Sequence, residues 1–236
     1  AIYLNTTKNH EIKIKIKGFK PDLKTIKKIY SVGIPSIIMG SISSVMTFGM
    51  NKIIIVFTST ATAVFGIYFK LQSFVFMPVF GLNNGMVPIV SYNYGARKLD
   101  RVREAYLKAA ISATIISTVS FICFQLFPRQ IIGIFGSESE AYFRFAEKFF
   151  RIFLFCTFIN GLQPITANFF TAIGKANRGI FLSLTRQVIF LLPLMIILPI
   201  FFGIEGVMFS APIADGFAAV CAITFAVKEL KSFQKL

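Results

Sequence analysis

Few residues in this chain can do chemistry, and those few sit in apolar surroundings. Asp215 lies ten residues past Glu205 in a strongly apolar run, about 15 Å along if the run is helical. Lys70 falls at nearly the same depth, eight residues past Thr62 in another apolar run that starts from the same side. A Lys, Arg or Asp at the centre of a membrane helix costs about 2.5–3.5 kcal/mol on insertion scales, so it usually faces a bundle interior or a cavity. Lys70 and Asp215 are therefore expected to pair, directly or through water, either as a static pin between helices or as a group that handles charge. Lys52 and Arg186 lie nearer the ends of their runs and are expected to snorkel outward.

The other reactive types exclude more than they support. The single histidine, His10, lies in a Lys-rich leader, so the apolar part has no His-containing metal site or His-based triad. Cys123, Cys156 and Cys221 stand in apolar stretches without metal-ligand spacing and read as small packing residues. Paired carboxylates and H-E-x-x-H are also missing from the apolar part, so no enzyme and no cofactor is expected.

Polar and helix-interrupting residues form a second group. From Lys70 to Val102, Pro78 and Pro88 each remove a ladder hydrogen bond, with Gly81 and Gly85 between them. Such interruptions survive in a membrane only where protein or a water-filled cavity satisfies the freed backbone. Transporters use them for hinges and binding sites. Asn160-Gly161-Leu162-Gln163-Pro164-Ile165 echoes Asn84-Gly85-Met86-Val87-Pro88-Ile89, which adds Pro164 to the expected breaks. Asn51, Gln72, Asn160 and Gln163 join Lys70 and Asp215 as the polar groups expected to line a cavity.

The elements that position these residues follow from composition. Of 236 residues 55% are hydrophobic and 15% charged, against about 25% charged in ordinary globular domains. Yet Lys and Arg number 25 against 10 Asp and Glu, a net charge of +15. The combination fits an integral membrane protein with basic loops, and it argues against nucleic-acid binding. Six segments are long and apolar enough to span: Ile29–Phe57, Thr62–Tyr92, Ala105–Phe127, Tyr142–Ile173, Gly179–Phe202 and Glu205–Val227. Their length and uniform apolarity exclude barrel strands, so the fold class is all-α.

Basic residues gather in the leader, in alternate loops and in the tail, which places both termini in the cytoplasm. Residues 1–28 read as a basic linker with an interfacial helix, attracted to anionic lipid through Glu11–Lys17 and its neighbours; residues 29–236 form the six-helix part. Ser137 and Glu140 stand in capping-box register. The helix they would open is too long for the hydrocarbon core, so an elbow is expected near Lys148–Ile152.

Several of these residues also carry a likeness. Pro78-x-x-Gly81, Pro88-Ile89, Tyr92-Asn93-Tyr94-Gly95-Ala96 and Asp100-Arg101-Val102 resemble the signature of the multidrug and toxic compound extrusion (MATE) transporters. Gly33-Ile34-Pro35, Gly66-Ile67 with Gln72, and Pro212-Ile213-Ala214-Asp215 fit the same family. The resemblance implies a multi-pass protein of the bacterial inner membrane that exports cationic or amphipathic compounds in exchange for H⁺ or Na⁺. It also implies a two-lobe architecture, of which this chain supplies the carboxyl-terminal six-helix lobe and lacks the amino-terminal one. Asp215 would be the coupling residue, although the acids that some members carry in the first and fourth spans of this lobe have no counterpart here. A lipid-linked oligosaccharide flippase of the same superfamily, or a non-transporting membrane scaffold, are the alternatives.

Overall fold

The structure, a computed structural model, describes residues 22–55, 59–135 and 139–233. The basic leader with Glu11–Lys17 and His10 lies outside the described residues, as does Ser137 of the expected capping box. By its contacts the chain divides into two compact units, residues 1–36 and 37–236.

Asp22, in the first unit, opens helix α1 (Leu23–Ile54), whose residues from 37 onward count in the second. Its carboxylate accepts from the Lys24 amide at 3.1 Å, the Thr25 amide at 3.2 Å and the Thr25 hydroxyl at 2.6 Å. These bonds satisfy amides that a helix start leaves orphaned. The helix passes through residue 28 without interruption, so no break marks the expected end of the linker, and the division of contacts falls after Ser36.

The larger unit carries α2 (Ser59–Gly95), α3 (Leu99–Leu126), α4 (Pro128–Gly133), α5 (Glu140–Phe153), α6 (Thr157–Asn160) and α7 (Leu162–Ala172). It continues through α8 (Ala176–Leu184), a π-helical stretch (Thr185–Leu191) and α9 (Leu192–Phe233). No strand occurs among the described residues, and the described parts of all six expected spans fall on helices. Among the described residues three helices, Ala61–Gly95, Leu99–Leu126 and Ala176–Phe233, have the length and apolarity to cross a membrane, and the pair Glu140–Phe153 and Thr157–Ala172 adds a broken span bent by 50°. The protein is an all-α membrane protein.

The run Ala176–Phe233 is 58 residues long, far more than a hydrocarbon core of about 30 Å accepts at 1.5 Å per residue. It is folded at Gly203, whose φ of 55° and ψ of −138° lie where a side chain is not tolerated. Beyond the fold, Gly206 lies directly against the backbone of Leu198 and Pro199. The two arms of α9 thus form the close hairpin expected between the fifth and sixth spans.

Two apolar cores hold the unit together. One gathers Phe65, Tyr68, Phe149 and Phe153 with Val207 and Met208; the other gathers Val79, Val102, Tyr106, Ile165 and Phe169. Large apolar side chains such as Phe74, Phe80, Ile115 and Phe201 point outward, as a helix bathed in lipid requires.

Three local expectations need correction. Pro78, Gly81, Gly85 and Pro88 do not break α2, which is continuous from Ser59 to Gly95. All four face outward, where the flanking turns carry the helix past each missing hydrogen bond. Pro164 lies in the first turn of α7, where its missing N–H has no partner to lose; the interruption comes just before it, at Gly161. The elbow exists but falls after Phe153, because Phe149 stacks on Phe153 at 4.8 Å and both rings pack edge-on against Phe65. That aromatic set keeps the helix in phase through Phe153. Ser139 caps the elbow helix by accepting from the Tyr142 amide. Arg129 then holds Glu140 through a two-bond fork, at 3.1 and 2.5 Å.

The stretch Tyr92–Ala96 also acquires a structural meaning. The Lys98 amide reaches the Asn93 carbonyl at 2.9 Å and the Arg97 amide the Tyr94 carbonyl at 3.0 Å, with Arg97 at φ 57°. This is the double bond pattern that closes a helix through one left-handed residue.

A Cβ on Gly206 would lie 2.4 Å from the carbonyl carbon and oxygen of Leu198, and backbone cannot yield there. Gly206→Ala is expected to destabilise by about 1–3 kcal/mol through overpacking. Gly85→Ala, with nothing within 4 Å of its Cβ, should be neutral or stabilising by up to about 1 kcal/mol from lower chain entropy. Thermal unfolding of the purified variants in detergent checks the contrast, and equal midpoints would refute the close hairpin.

Candidate functional site

Asp215 lies in the second arm of α9 and is 2% exposed; Arg186 lies in the π-helical stretch and is 6% exposed. The Arg186 Nε donates to Asp215 Oδ1 at 2.6 Å, and the Asn160 Nδ2 donates to Oδ2 at 2.8 Å. Both carboxylate oxygens are therefore held by N–H donors, one of them charged. Buried Tyr68, on α2, stands beside the Arg186 guanidinium, with Gln72 one turn on along the same helix. The cluster joins five residues from four elements.

Local structure explains why these side chains converge. A π-helical turn holds more residues than an α-turn and so re-phases which side chains face inward. In this stretch Thr185, Arg186 and Leu191 are buried. Asn160 is the last residue of the single-turn helix α6, between the break at Leu154–Cys156 and the one at Gly161. The site thus sits where two helices depart from regular α geometry. Tyr68 is set by its ring, which meets Phe153 edge-on at 4.7 Å and lies 5.4 Å from Phe65.

A buried ion pair must overcome the desolvation of both charges, so its presence says little about net stability. Its geometry is more informative. Removing one partner leaves the other charged and uncompensated in the core, which is far more costly than the pair itself.

The expected pairing of Lys70 with Asp215 is corrected: Asp215 is paired with Arg186. Lys70 is exposed, with its Nζ 5.8 Å from the centre of the Phe135 ring. The physical reason is reach. Arg186 and Asp215 flank the turn at Gly203, and Arg186 lies about five residues farther from it, roughly 7 Å of helix rise. A long, inward-facing guanidinium spans that offset. Arg186 therefore does not snorkel. Lys52 does face outward, with its Nζ 5.7 Å from the Phe48 ring centre.

Of the other expected cavity residues, Gln72 and Asn160 join the Asp215 cluster. Asn51 is exposed on α1. Gln163 donates to the Leu182 carbonyl at 2.5 Å and so fastens α7 to α8, away from the acid. Tyr68 was not singled out from sequence. Only the rule that a buried acid needs a cation could have favoured Arg186, and depth alone favoured Lys70.

A second buried acid, Glu229 near the end of α9, is 2% exposed and bridges two cations. Its Oε1 pairs with Lys175 and its Oε2 with Arg178 Nη1 at 2.6 Å. Lys175 precedes the first residue of α8 and Arg178 lies in its first turn, so this cluster pins the start of α8 to the last helix.

Asp215→Ala should lower stability by about 3–5 kcal/mol, because it strands Arg186. The double variant Arg186→Met/Asp215→Leu should recover most of that loss. A double-mutant cycle read by thermal unfolding decides it, and additive losses would disprove the coupling.

Comparison with known proteins completes the description of the site. Residues 35–197 match the MatE family model. The multidrug export protein MepA of Staphylococcus aureus is 25% identical over 212 residues, covering 90% of this chain and 46% of that protein. MepA of Staphylococcus haemolyticus is 24% identical over 225 residues, covering 95% and 49%. Among solved structures, the outward-facing conformation of a multidrug resistance MATE family transporter superposes with a TM-score of 0.87 at 21% identity, over 99% of this chain and 53% of that one. A MOP superfamily transporter from Pyrococcus furiosus superposes with a TM-score of 0.84 at 20% identity, over 95% and 51%. This chain spans about half the length of the relatives it matches, and on the extent of the family match it belongs to the MatE family.

Proposed function

We propose that the chain is the carboxyl-terminal half of a secondary exporter in the bacterial inner membrane, with both termini cytoplasmic. The whole protein would expel cationic or amphipathic compounds in exchange for entering H⁺ or Na⁺. Family membership and the multidrug export relatives support the class of activity, and the loop charges support the orientation. One observation carries the mechanism: a carboxylate and a guanidinium, both buried, meet where α6 and the π-helical stretch depart from regular geometry.

In this reading Asp215 is the coupling group and Arg186 is its resident counter-ion. An H⁺ or Na⁺ arriving at Asp215 cancels the charge that holds Arg186, and the guanidinium must find another partner. Tyr68 already stands beside it. Exchange of partners within the cluster then moves the π-helical stretch relative to α6 and α9. Asn51 and Lys70 belong to the proposed substrate surface only if they face the missing amino-terminal lobe. The flippase alternative needs free cations for a pyrophosphate; Arg186 is already neutralised by Asp215, which leaves Lys70 alone.

Ethidium export by the full-length protein in proteoliposomes tests this. Asp215→Asn should abolish gradient-driven export while the protein still folds. Arg186→Gln/Asp215→Asn should regain stability without regaining export. Export that persists in the double variant, or that ignores an ionophore, would sink the assignment of Asp215.

A further inference from the structure

Beside the ion pair lies a small cavity lined by Gln72, Val75, Phe76, Phe124, Leu154, Thr157 and Asn160. Its size matches about one water molecule. Its polar lining comes from three residues, and two of them already belong to the cluster. Gln72 stands one turn from Tyr68, which lies beside Arg186. Asn160 reaches Asp215 directly, with its amide nitrogen turned to Oδ2. The third, Thr157, is 5% exposed, and its hydroxyl has no hydrogen-bond partner among the described residues.

A buried hydroxyl without a partner costs about 1–3 kcal/mol, and a site able to hold water must offer it two to four polar partners. This cavity does so, and otherwise it is walled by Val, Phe and Leu. We propose that it is a binding site for a single ordered water held by Thr157, Gln72 and Asn160. That water joins Thr157 and Gln72 to Asn160, whose amide is bonded to the carboxylate that Arg186 neutralises. Thr157 is then a positioning residue. It touches neither charge, but it anchors the water that keeps the Asn160 amide aimed at the carboxylate.

The water site rests on the cavity and on the partnerless Thr157 hydroxyl, and it stands whether or not Asp215 couples export. Hydroxyl-radical footprinting of the full-length protein with an X-ray source tests it, because radiolysis of an ordered buried water labels the side chains next to it. Phe124 and Leu154 line the cavity; Phe233 and Leu191 match them in type, are no more deeply buried and do not line it. The wild type should label Phe124 and Leu154 several-fold more than Phe233 and Leu191. Thr157→Val should remove most of that excess and Thr157→Ser should retain it. Should Thr157→Val fail to fold, Gln72→Leu removes another partner of the water and should lower the same labels. Equal labelling of lining and control residues in the wild type, or an excess that survives both Thr157→Val and Gln72→Leu, overturns the site. The pH profile of export adds a functional readout: Thr157→Val should shift it and Thr157→Ser should not. Loss of the footprint contrast would refute the water, whereas export untouched by Asp215→Asn would refute only the coupling assignment.

Discussion

A charge buried in a membrane protein has to be neutralised where it stands, and the rest of the larger unit is arranged around the place where Arg186 neutralises Asp215. The acid is carried by the returning arm of the α9 hairpin, so it is set by the fold at Gly203 and by the close approach at Gly206. The base is carried just before the outgoing arm, in the one described stretch whose turns are π-helical. Without that local change of phase, an Arg within an apolar run would run outward to the membrane surface, as long basic side chains do. The ion pair and the irregular helix are two aspects of one constraint.

Aromatic packing supplies the frame for the polar cluster. Phe65, Tyr68, Phe149 and Phe153 bind α2 to the elbow helix through edge-on and stacked contacts at 4.7–6.4 Å. Such pairs contribute roughly 0.5–1.5 kcal/mol each beyond their buried area. In lipid, where the hydrophobic effect between helices is weak, close packing of this kind carries more of the association. Tyr68 belongs to both systems: its ring completes the aromatic set and its hydroxyl completes the polar one. The same aromatic set that delays the elbow until after Phe153 therefore also holds Tyr68 beside Arg186.

Much of the fold was legible in the sequence because membrane insertion is a one-dimensional constraint. Twenty apolar residues must be helical wherever they lie, so six segments, the hairpin at Gly203 and an elbow helix were all visible as hydropathy and charge. The site was legible in part. Asp215, Asn160 and Gln72 stood out as polar groups in apolar runs. Their partner did not, because depth was counted along ideal helices and Arg186 departs from that count through its reach and the π-helical stretch. The prolines misled for a related reason. Pro78 and Pro88 announce lost hydrogen bonds, but sequence does not say whether the flanking turns hold, and on the outward face of α2 they do. The family signature at Tyr92–Ala96 was recognisable as a motif, yet its role as a helix-closing turn appears only in the backbone bonds of Asn93 and Tyr94.

Magnitudes constrain how such a pair can serve exchange. One charge moved through 100 mV supplies about 2.3 kcal/mol, whereas a buried charge stripped of its partner costs about 3–5 kcal/mol. Neutralising Asp215 while leaving Arg186 in place would consume more than that drive provides. An exchanger built on this pair must therefore offer Arg186 a second set of acceptors before the first is lost. A ligand shifts a conformational equilibrium only by its difference in affinity for the two states, so those acceptors must lie on elements that the two states hold differently. Tyr68 on α2 meets the first requirement, since its hydroxyl stands beside Arg186 on a helix other than the one that carries the carboxylate. The π-helical stretch meets the second, because its turns can relax toward α geometry and carry Arg186 with them. On the proposed exchange reading, the acid is the coupling group, and what it releases is the arginine with the helix that bears it.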